Sequence, residues 1–500
     1  MVIITSMPLN LISDAWIPVR LNDGRRRTIA PYQMADPLIA APDWPRADLN
    51  LACYELLIGL VYMASPPTNV RDWARTPPDA PKLKARLGTF AEAFNLLGEG
   101  PSFLQDLQEL PGTPSSPDLL FIDSAGGNTA RNNADLMVHR DRYAVLDLPM
   151  AAMALYAFQQ FAPSGGAGNR TSMRGGGPMV TLADPGTGLW DLVWANVPYG
   201  QPANVGNLPW MRATRTSEKG QSVGASQAHP VEAFFGMPRR LQLVGEEMVT
   251  GVIQRPYGTN YGLWQHPLSP YYCMKEGAEL LPRHPSSGRL PYRNWVGIVL
   301  SDPRAEDGLR QRAECIQTFF GRYQRQAKRM IAGGWAMDNM KPKDFLWAEL
   351  PLLAFDTRAQ STAEQLIEGA NLVAGGMRQA LLVVLAEGSA REAQLDHFWA
   401  ATEGDFAAAL AELAEEDFDA ETVAKQFLSA IGRQALVQFQ ELAVPGMADC
   451  RIEQAGRIVA AHRNLTALVH GRSTQGKKLW NTLSLTQPVS KTVEKQKADA

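Results

Sequence analysis

The rhythm of apolar positions along the chain changes near residue 357. Before that point, short apolar runs are broken at close intervals by Pro, Gly and Trp. The first stretch, "AWIPVRLNDGRRRTIAPYQM", places Asp23-Gly24 between two extended runs and predicts a β-hairpin. "LNLACYELLIGLVYMA" (49–64) has helical apolar spacing and predicts a core helix. After residue 357 proline is scarce, and Ala, Leu, Glu and Gln build four long amphipathic segments: 363–387, 391–416, 420–443 and 448–471. Gly388-Ser389 and Pro445-Gly446 mark two of their joints. The pattern predicts an α+β chain: an irregular mixed α/β domain over 1–356, then an antiparallel four-helix bundle over 357–500. The tail beyond about residue 485 is expected to be mobile.

Composition narrows the functional classes. Five hundred residues exceed one compact core, and 45% hydrophobic with 20% charged residues is ordinary for a folded protein. The 48 Lys and Arg against 51 Asp and Glu leave a net charge of -3, so any nucleic-acid binding must be local. Charge is uneven at the C-terminal end. An acidic stretch (Glu415, Glu416, Asp417, Asp419, Glu421) precedes a basic one (Arg457, Arg463, Arg472, Lys477, Lys478, Lys491, Lys495, Lys497). Cys53, Cys273, Cys315 and Cys450 are far apart, without a CxxC or a paired His. That spacing argues against a zinc site and a disulfide framework, and suits a reducing cytoplasm. The N-terminus lacks a signal-peptide pattern, and no apolar run approaches the roughly 20 residues that span a bilayer. The expectation is a cytosolic protein with no membrane partner, metal or cofactor.

Three stretches carry candidate chemistry. "APSGGAGNRTSMRGGGPM" (162–179) is rich in glycine and holds Arg170 and Arg174. Two readings stay open: a tight turn with close backbone packing, or backbone N–H groups presented to phosphate or base edges. It lacks the GxxxxGK[ST] spacing of a nucleotide loop and the GxGxxG context of a dinucleotide site. No GxSxG, HExxH or paired-carboxylate signature appears, and the seven histidines are scattered, which points away from catalysis. In "FFGRYQRQAKRMIAGGWAMDNMKPKDF" (319–345), Arg322, Arg325 and Arg329 recur at near-helical spacing beside Lys328. Gly333-Gly334 then breaks the helix, and Asn339, Met340 and Lys341 fall on a turn. The helix is either a solvated basic face or a contact to nucleic-acid backbone, and the turn is either a wedge for base steps or a turn with a buried Trp335. In "VIQRPYGTNYGLWQHPLSP" (252–270), Arg255 alone reads as a surface ion-pair partner. Arg25, Arg26 and Arg27 read as a charged strand edge.

Taken together, these blocks resemble one family, the large (CasA-type) subunit of the type I-E CRISPR Cascade surveillance complex. "ISDAWIPVR" looks like its N-terminal signature, and "AFQQFAPSGGAGNRTSMRGGGPMVTL" like its glycine loop and following strand. "GLWQHPLSP" and "GGWAMDNMK" resemble two further blocks in matching order. The resemblance implies a non-catalytic subunit that works with CRISPR RNA and with the backbone and small subunits. It implies recognition of a protospacer-adjacent motif in target double-stranded DNA from the minor groove, initial unwinding, and support for helicase-nuclease recruitment. By the same resemblance, the reading loop falls on Ser164, Gly165, Gly166, Ala167 and Gly168. The basic side chain entering the groove falls on Arg255, and the wedge on Asp338, Asn339 and Met340. Contacts to nucleic-acid backbone fall to Arg170, Arg174, Arg322, Arg325, Lys328, Arg329 and Lys341. Arg131, Asn132 and Asn133, within 122–142, correspond to a loop ordered by the guide RNA or neighbouring subunits. Arg457, Arg463, Lys477 and Lys478 are candidates for guiding DNA or docking backbone subunits. Three features depart from the family: Arg255 where some members carry Lys, "DNM" where some carry Gln-Ala, and no cysteine cluster. The alternatives are a hydrolase acting on nucleic acid and a stand-alone DNA-binding regulator.

Overall fold

The computed structural model describes residues 9–75, 77–124, 131–133, 140, 142–166, 168–262, 264–275, 277–301, 310–322, 328–352, 355–447 and 450–486. The chain divides into two units. The first comprises Met1–Leu290, Gly297–Val299 and Arg304–Leu352; the second comprises Pro291–Val296, Leu300–Pro303 and Leu353–Ala500.

In the first unit, Asp23-Gly24 joins β1 (Ile17–Leu21) to β2 (Arg26–Ile29), as their alternation predicts. β1 also pairs with β3 (Ile39–Pro42), giving the order β2-β1-β3. Next comes α1 (Ala47–Ala64), which is buried on nearly every side, Glu55 included. Its length and apolarity would suffice to cross a membrane, contrary to expectation, yet 83% of it is buried inside the fold, so it is the core helix of this unit. α2 (Leu148–Phe161) packs beside α1, and Asp147 caps it by accepting from the Met150 amide at 2.8 Å. The glycine-rich stretch connects α2 to β4 (Val180–Asp184), and α3 (Leu189–Asn196) follows. β5 (Arg240–Gly245) and β6 (Met248–Arg255) form an antiparallel hairpin that ends at Arg255.

The basic stretch after residue 314 differs from its sequence reading. α4 (Glu314–Arg322) ends at Arg322, and β7 (Lys328–Asp338) pairs with β8 (Lys341–Leu352) as a long antiparallel hairpin. β7 also pairs with β4, giving the order β8-β7-β4. Arg322 and Arg329 therefore share no helix face, and Arg325 lies outside the described residues. Gly333 and Gly334 do not break a helix; they let β7 pack closely. A Cβ on Gly333 would sit 2.9 Å from Leu51 Cδ2 of α1, and one on Gly334, at φ 150°, would collide with the Pro178 carbonyl.

The second unit is helical: α5 (Thr357–Leu381), α6 (Gly388–Ala401), α7 (Glu403–Leu413), α8 (Ala420–Ala443), α9 (Ile452–Val469) and α10 (Thr474–Thr482). α5, α8 and α9 pack on one another, and the broken rod α6–α7 packs on α5 and α8, giving the bundle that the four apolar stripes imply. The break falls at Thr402. Its hydroxyl donates to the Phe398 carbonyl at 2.8 Å and meets the Tyr292 hydroxyl at 2.9 Å. Tyr292 stacks on Phe406 at 4.4 Å between ring centres, which draws Pro291–Val296 into this unit. The periodicity reading omits α10, whose N-cap Ser473 accepts from the Gly476 amide at 2.9 Å. The basic tail, 487–500, lies outside the described residues.

Candidate nucleic-acid interface

The glycine stretch is a double-looped connection with two different halves. In the first half, the Asn169 amide donates to the Gly166 carbonyl at 2.8 Å and closes a small turn. Gly166 and Gly168 take φ of 66° and 83°, the left-handed region that glycine enters without steric penalty. Ser164, Gly165 and Gly166 are exposed, and a Cβ on Gly166 would meet nothing within 4 Å. Ala167 lies outside the described residues.

The second half is anchored in the core. Arg174 is 1% exposed and donates to Glu55 Oε1 of α1 at 2.6 Å and to Ser269 Oγ at 3.1 Å. Its assignment to nucleic-acid backbone is therefore corrected: the guanidinium is consumed by a buried ion pair. His266, 1% exposed, lies 3.4 Å from Arg174 and accepts from the Leu268 amide through Nδ1 at 3.1 Å. Burial and the adjacent guanidinium hold its pKa well below the usual histidine value, so the ring is neutral. Burial raises the Glu55 carboxyl while Arg174 opposes that shift. Gly177 completes the anchor: a Cβ there would collide with the Trp335 carbonyl of β7.

Tertiary packing brings the other candidate elements to this loop. The amide of Tyr257, two residues beyond Arg255, donates to the Gly168 carbonyl at 2.9 Å. Arg170 donates from Nε to Ser217 Oγ at 2.8 Å and from Nη2 to the Ser217 carbonyl at 3.0 Å. Ser217 Oγ in turn donates to the Gly258 carbonyl at 2.7 Å. Arg170 thus ties the loop to segment 257–258. Arg255 is half-buried, with Nη2 2.8 Å from the place of a Cβ on Gly112 and Nε lacking a hydrogen-bond partner. On the other side, Met340 Sδ lies 3.4 Å from the place of a Cβ on Gly176.

Met340 sits at the tip of the β7–β8 hairpin. Asn339 and Met340 are its two central residues, with φ of 49° and 63°, and Asp338 pairs with Lys341 across the turn. Positive φ at both central positions is what a type I′ turn requires. Asn tolerates it; methionine does not, and holding it there costs about 1–3 kcal/mol. Met340 is 49% exposed despite being apolar. Asp338 accepts from Asn339 Nδ2 at 3.0 Å and pairs with Lys343 at 3.5 Å. Lys341 is exposed beside the turn.

The remaining basic candidates separate. Arg322, 9% exposed, is a further correction: it lies between the rings of Trp73 and Tyr199 and donates to the carbonyls of Ala195 at 2.7 Å and Val197 at 2.8 Å. It caps the C-terminal end of α3. Arg329 bridges Asp184 at 2.6 Å and Glu349 at 3.0 Å. The side chain of Lys328 lies outside the described residues. Arg131, Asn132 and Asn133 are exposed, and Asn133 accepts from Arg140 at 2.9 Å. Residues 125–130, 134–139 and 141 lie outside the described residues. Among the described residues, no group of three or more His, Cys, Asp or Glu is placed to hold a metal ion.

Two residues at the loop escaped the sequence reading. Tyr257 is held at φ 63° and packs on Gly168. Arg239 is buried beneath Pro163–Gly165 and donates to the Pro163 carbonyl. Neither belongs to a charge cluster; the one available signal was the Pro-Arg-Arg sequence shortly before the Arg255 strand.

The family model for CRISPR-associated protein Cse1 matches residues 10–438. A CRISPR-associated protein from Thermus thermophilus shares the fold at a TM-score of 0.70 with 18% identity, covering 93% of this chain and 100% of that one. Cse1 from Acidimicrobium ferrooxidans aligns at 0.69 with 16% identity, covering 96% and 99%. A chain of a CRISPR RNA-guided surveillance complex aligns at 0.69 with 15% identity, covering 92% and 99%. On the family match over most of its length, carried by the same fold, the chain belongs to the CRISPR-associated protein Cse1 family.

Proposed function

We propose that the chain is the non-catalytic large subunit of a cytoplasmic RNA-guided surveillance complex. In this reading it recognises a short motif in target double-stranded DNA from the minor groove and starts strand separation. One observation carries it: an exposed methionine held at positive φ against Gly176 of the glycine-rich connection, whose other half carries the open Gly166. The loop, at Ser164, Gly165, Gly166, Ala167 and Gly168, would lie along the groove floor, where a small-residue backbone approaches closely. A·T and T·A offer nearly the same acceptors there, so several motifs would be tolerated. Arg255 adds attraction to the groove's negative potential. Asp338, Asn339 and Met340 form the wedge, with unstacking offset by new contacts and guide pairing. In this reading Lys341 and Arg170 support the duplex backbone. Arg131, Asn132 and Asn133 face guide RNA or neighbouring subunits, and Arg457, Arg463, Lys477 and Lys478 supply a basic surface on the bundle. A helicase-nuclease is recruited after target binding.

Gly166→Asp tests this reading. The site has room for the side chain, and Asp tolerates positive φ, so the fold should survive. A carboxylate against the duplex should weaken motif-bearing DNA binding by about tenfold or more in the reconstituted complex. Wild-type affinity would remove the loop from the interface.

A further inference from the structure

Arg239 immediately precedes β5 and is 4% exposed. Its main chain is fixed by Gln159 of α2, which accepts from the Arg239 amide at 3.1 Å and donates to its carbonyl at 3.0 Å. Its guanidinium lies over the Phe158 ring, 5.1 Å from the centroid, and one nitrogen donates to the Pro163 carbonyl. Nη1 is 3.0 Å from the place of a Cβ on Gly165, directly under the exposed part of the loop. Nε has no hydrogen-bond partner.

Three other buried or half-buried arginines of this unit are neutralised. Arg174 meets Glu55, Arg240 meets Asp106, and Arg212 meets Glu232. Among the described residues, no carboxylate lies within ion-pair distance of Arg239. Burial accordingly pulls its pKa down to about 10, still charged at neutral pH. Taking a guanidinium out of water without a counter-charge opposes folding. A hydrogen bond to one carbonyl does not require a cation, since an amide would serve.

We propose that Arg239 is an electrostatic positioning residue for the glycine loop, its uncompensated charge making Pro163–Gly165 attractive to the anionic edge of a nucleic acid. The inference rests on the loop reading above. The charge acts from beneath Gly165, where the missing side chain leaves the surface open while it carries positive potential. Low-dielectric surroundings strengthen such a charge relative to one on a solvated side chain. The phosphate backbone of the docking duplex supplies the missing counter-charge.

The test compares Arg239→Gln and Arg239→Lys in the full chain, reconstituted with its guide RNA and partner subunits. Gln can keep the bond to Pro163 but loses the charge; Lys keeps the charge. We expect Arg239→Gln to weaken binding of a motif-bearing duplex by about tenfold at low salt, with the loss shrinking as salt rises. Its thermal midpoint should equal or exceed that of wild type, and Arg239→Lys should recover most of the affinity. A loss equal at all salt concentrations together with a lowered midpoint would overturn the proposal in favour of a structural role. Wild-type binding by Arg239→Gln beside weakened Gly166→Asp would overturn this inference alone. Wild-type binding by Gly166→Asp would overturn the loop reading and this inference with it.

Discussion

The ring of Tyr257 occupies the space that a Cβ on Gly168 would claim, its Cε1 2.6 Å from that position, while its amide bonds the Gly168 carbonyl at 2.9 Å. This contact locks the glycine loop to the segment that follows Arg255. Gly168→Ala would add a steric clash to a φ of 83°, so we expect a loss of about 1–3 kcal/mol in stability. Tyr257→Phe keeps ring and amide and should leave stability near wild type. Denaturant titration of both variants checks the pair.

Met340 trades stability for a presented side chain. Met340→Gly suits the positive φ and should stabilise the fold by about 0.5–1 kcal/mol while removing the wedge. Fluorescence of a base analogue beside the motif should then report slower strand opening with initial binding retained. Unchanged opening kinetics would remove Met340 from the proposed wedge.

Arg322 should behave as a core residue. Arg322→Met leaves the carbonyls of Ala195 and Val197 without their donor, and we expect about 2–3 kcal/mol of destabilisation. The salt dependence of DNA binding by the folded fraction should match wild type. A shallower slope would instead return Arg322 to the nucleic-acid surface.

The buried His266 makes the fold sensitive to mild acid. Its folded pKa is depressed, so below about pH 6.5 the unfolded chain binds a proton that the folded chain refuses. Stability should fall with decreasing pH, by up to about 1.4 kcal/mol per unit for this one group. Glu55, raised by burial, acts in the opposite sense from its ordinary carboxylate pKa upward. In His266→Asn the amide oxygen can accept from Leu268, and the slope of the thermal midpoint between pH 7 and 5 should flatten. An unchanged slope would assign the acid sensitivity to other groups.

Local pattern carried the regular elements. Asp23-Gly24 between alternating runs made a hairpin, helical spacing made α1, and the amphipathic stripes after residue 357 made the bundle. Each depends on interactions within a few residues or on one apolar face, so short-range order specifies them. The turn at Asn339 and Met340 was legible for the same reason.

Burial and partners belong to the tertiary structure. Arg174, Arg322 and Arg239 look alike in sequence, yet the first is neutralised by Glu55, the second caps α3 and the third stays without a counter-charge. Gly333 and Gly334 read as a helix break because their need for space comes from Leu51 and Pro178, far away along the chain. The sequence alone determined the glycine-rich connection, its order relative to Arg255 and Met340, and the helical second unit. Only the fold decided that Gly168 meets Tyr257, that Gly176 meets Met340, and which arginines meet a carboxylate. The physical reason is that desolvation and close packing depend on non-local neighbours, whereas turns and amphipathic faces are set by adjacent residues.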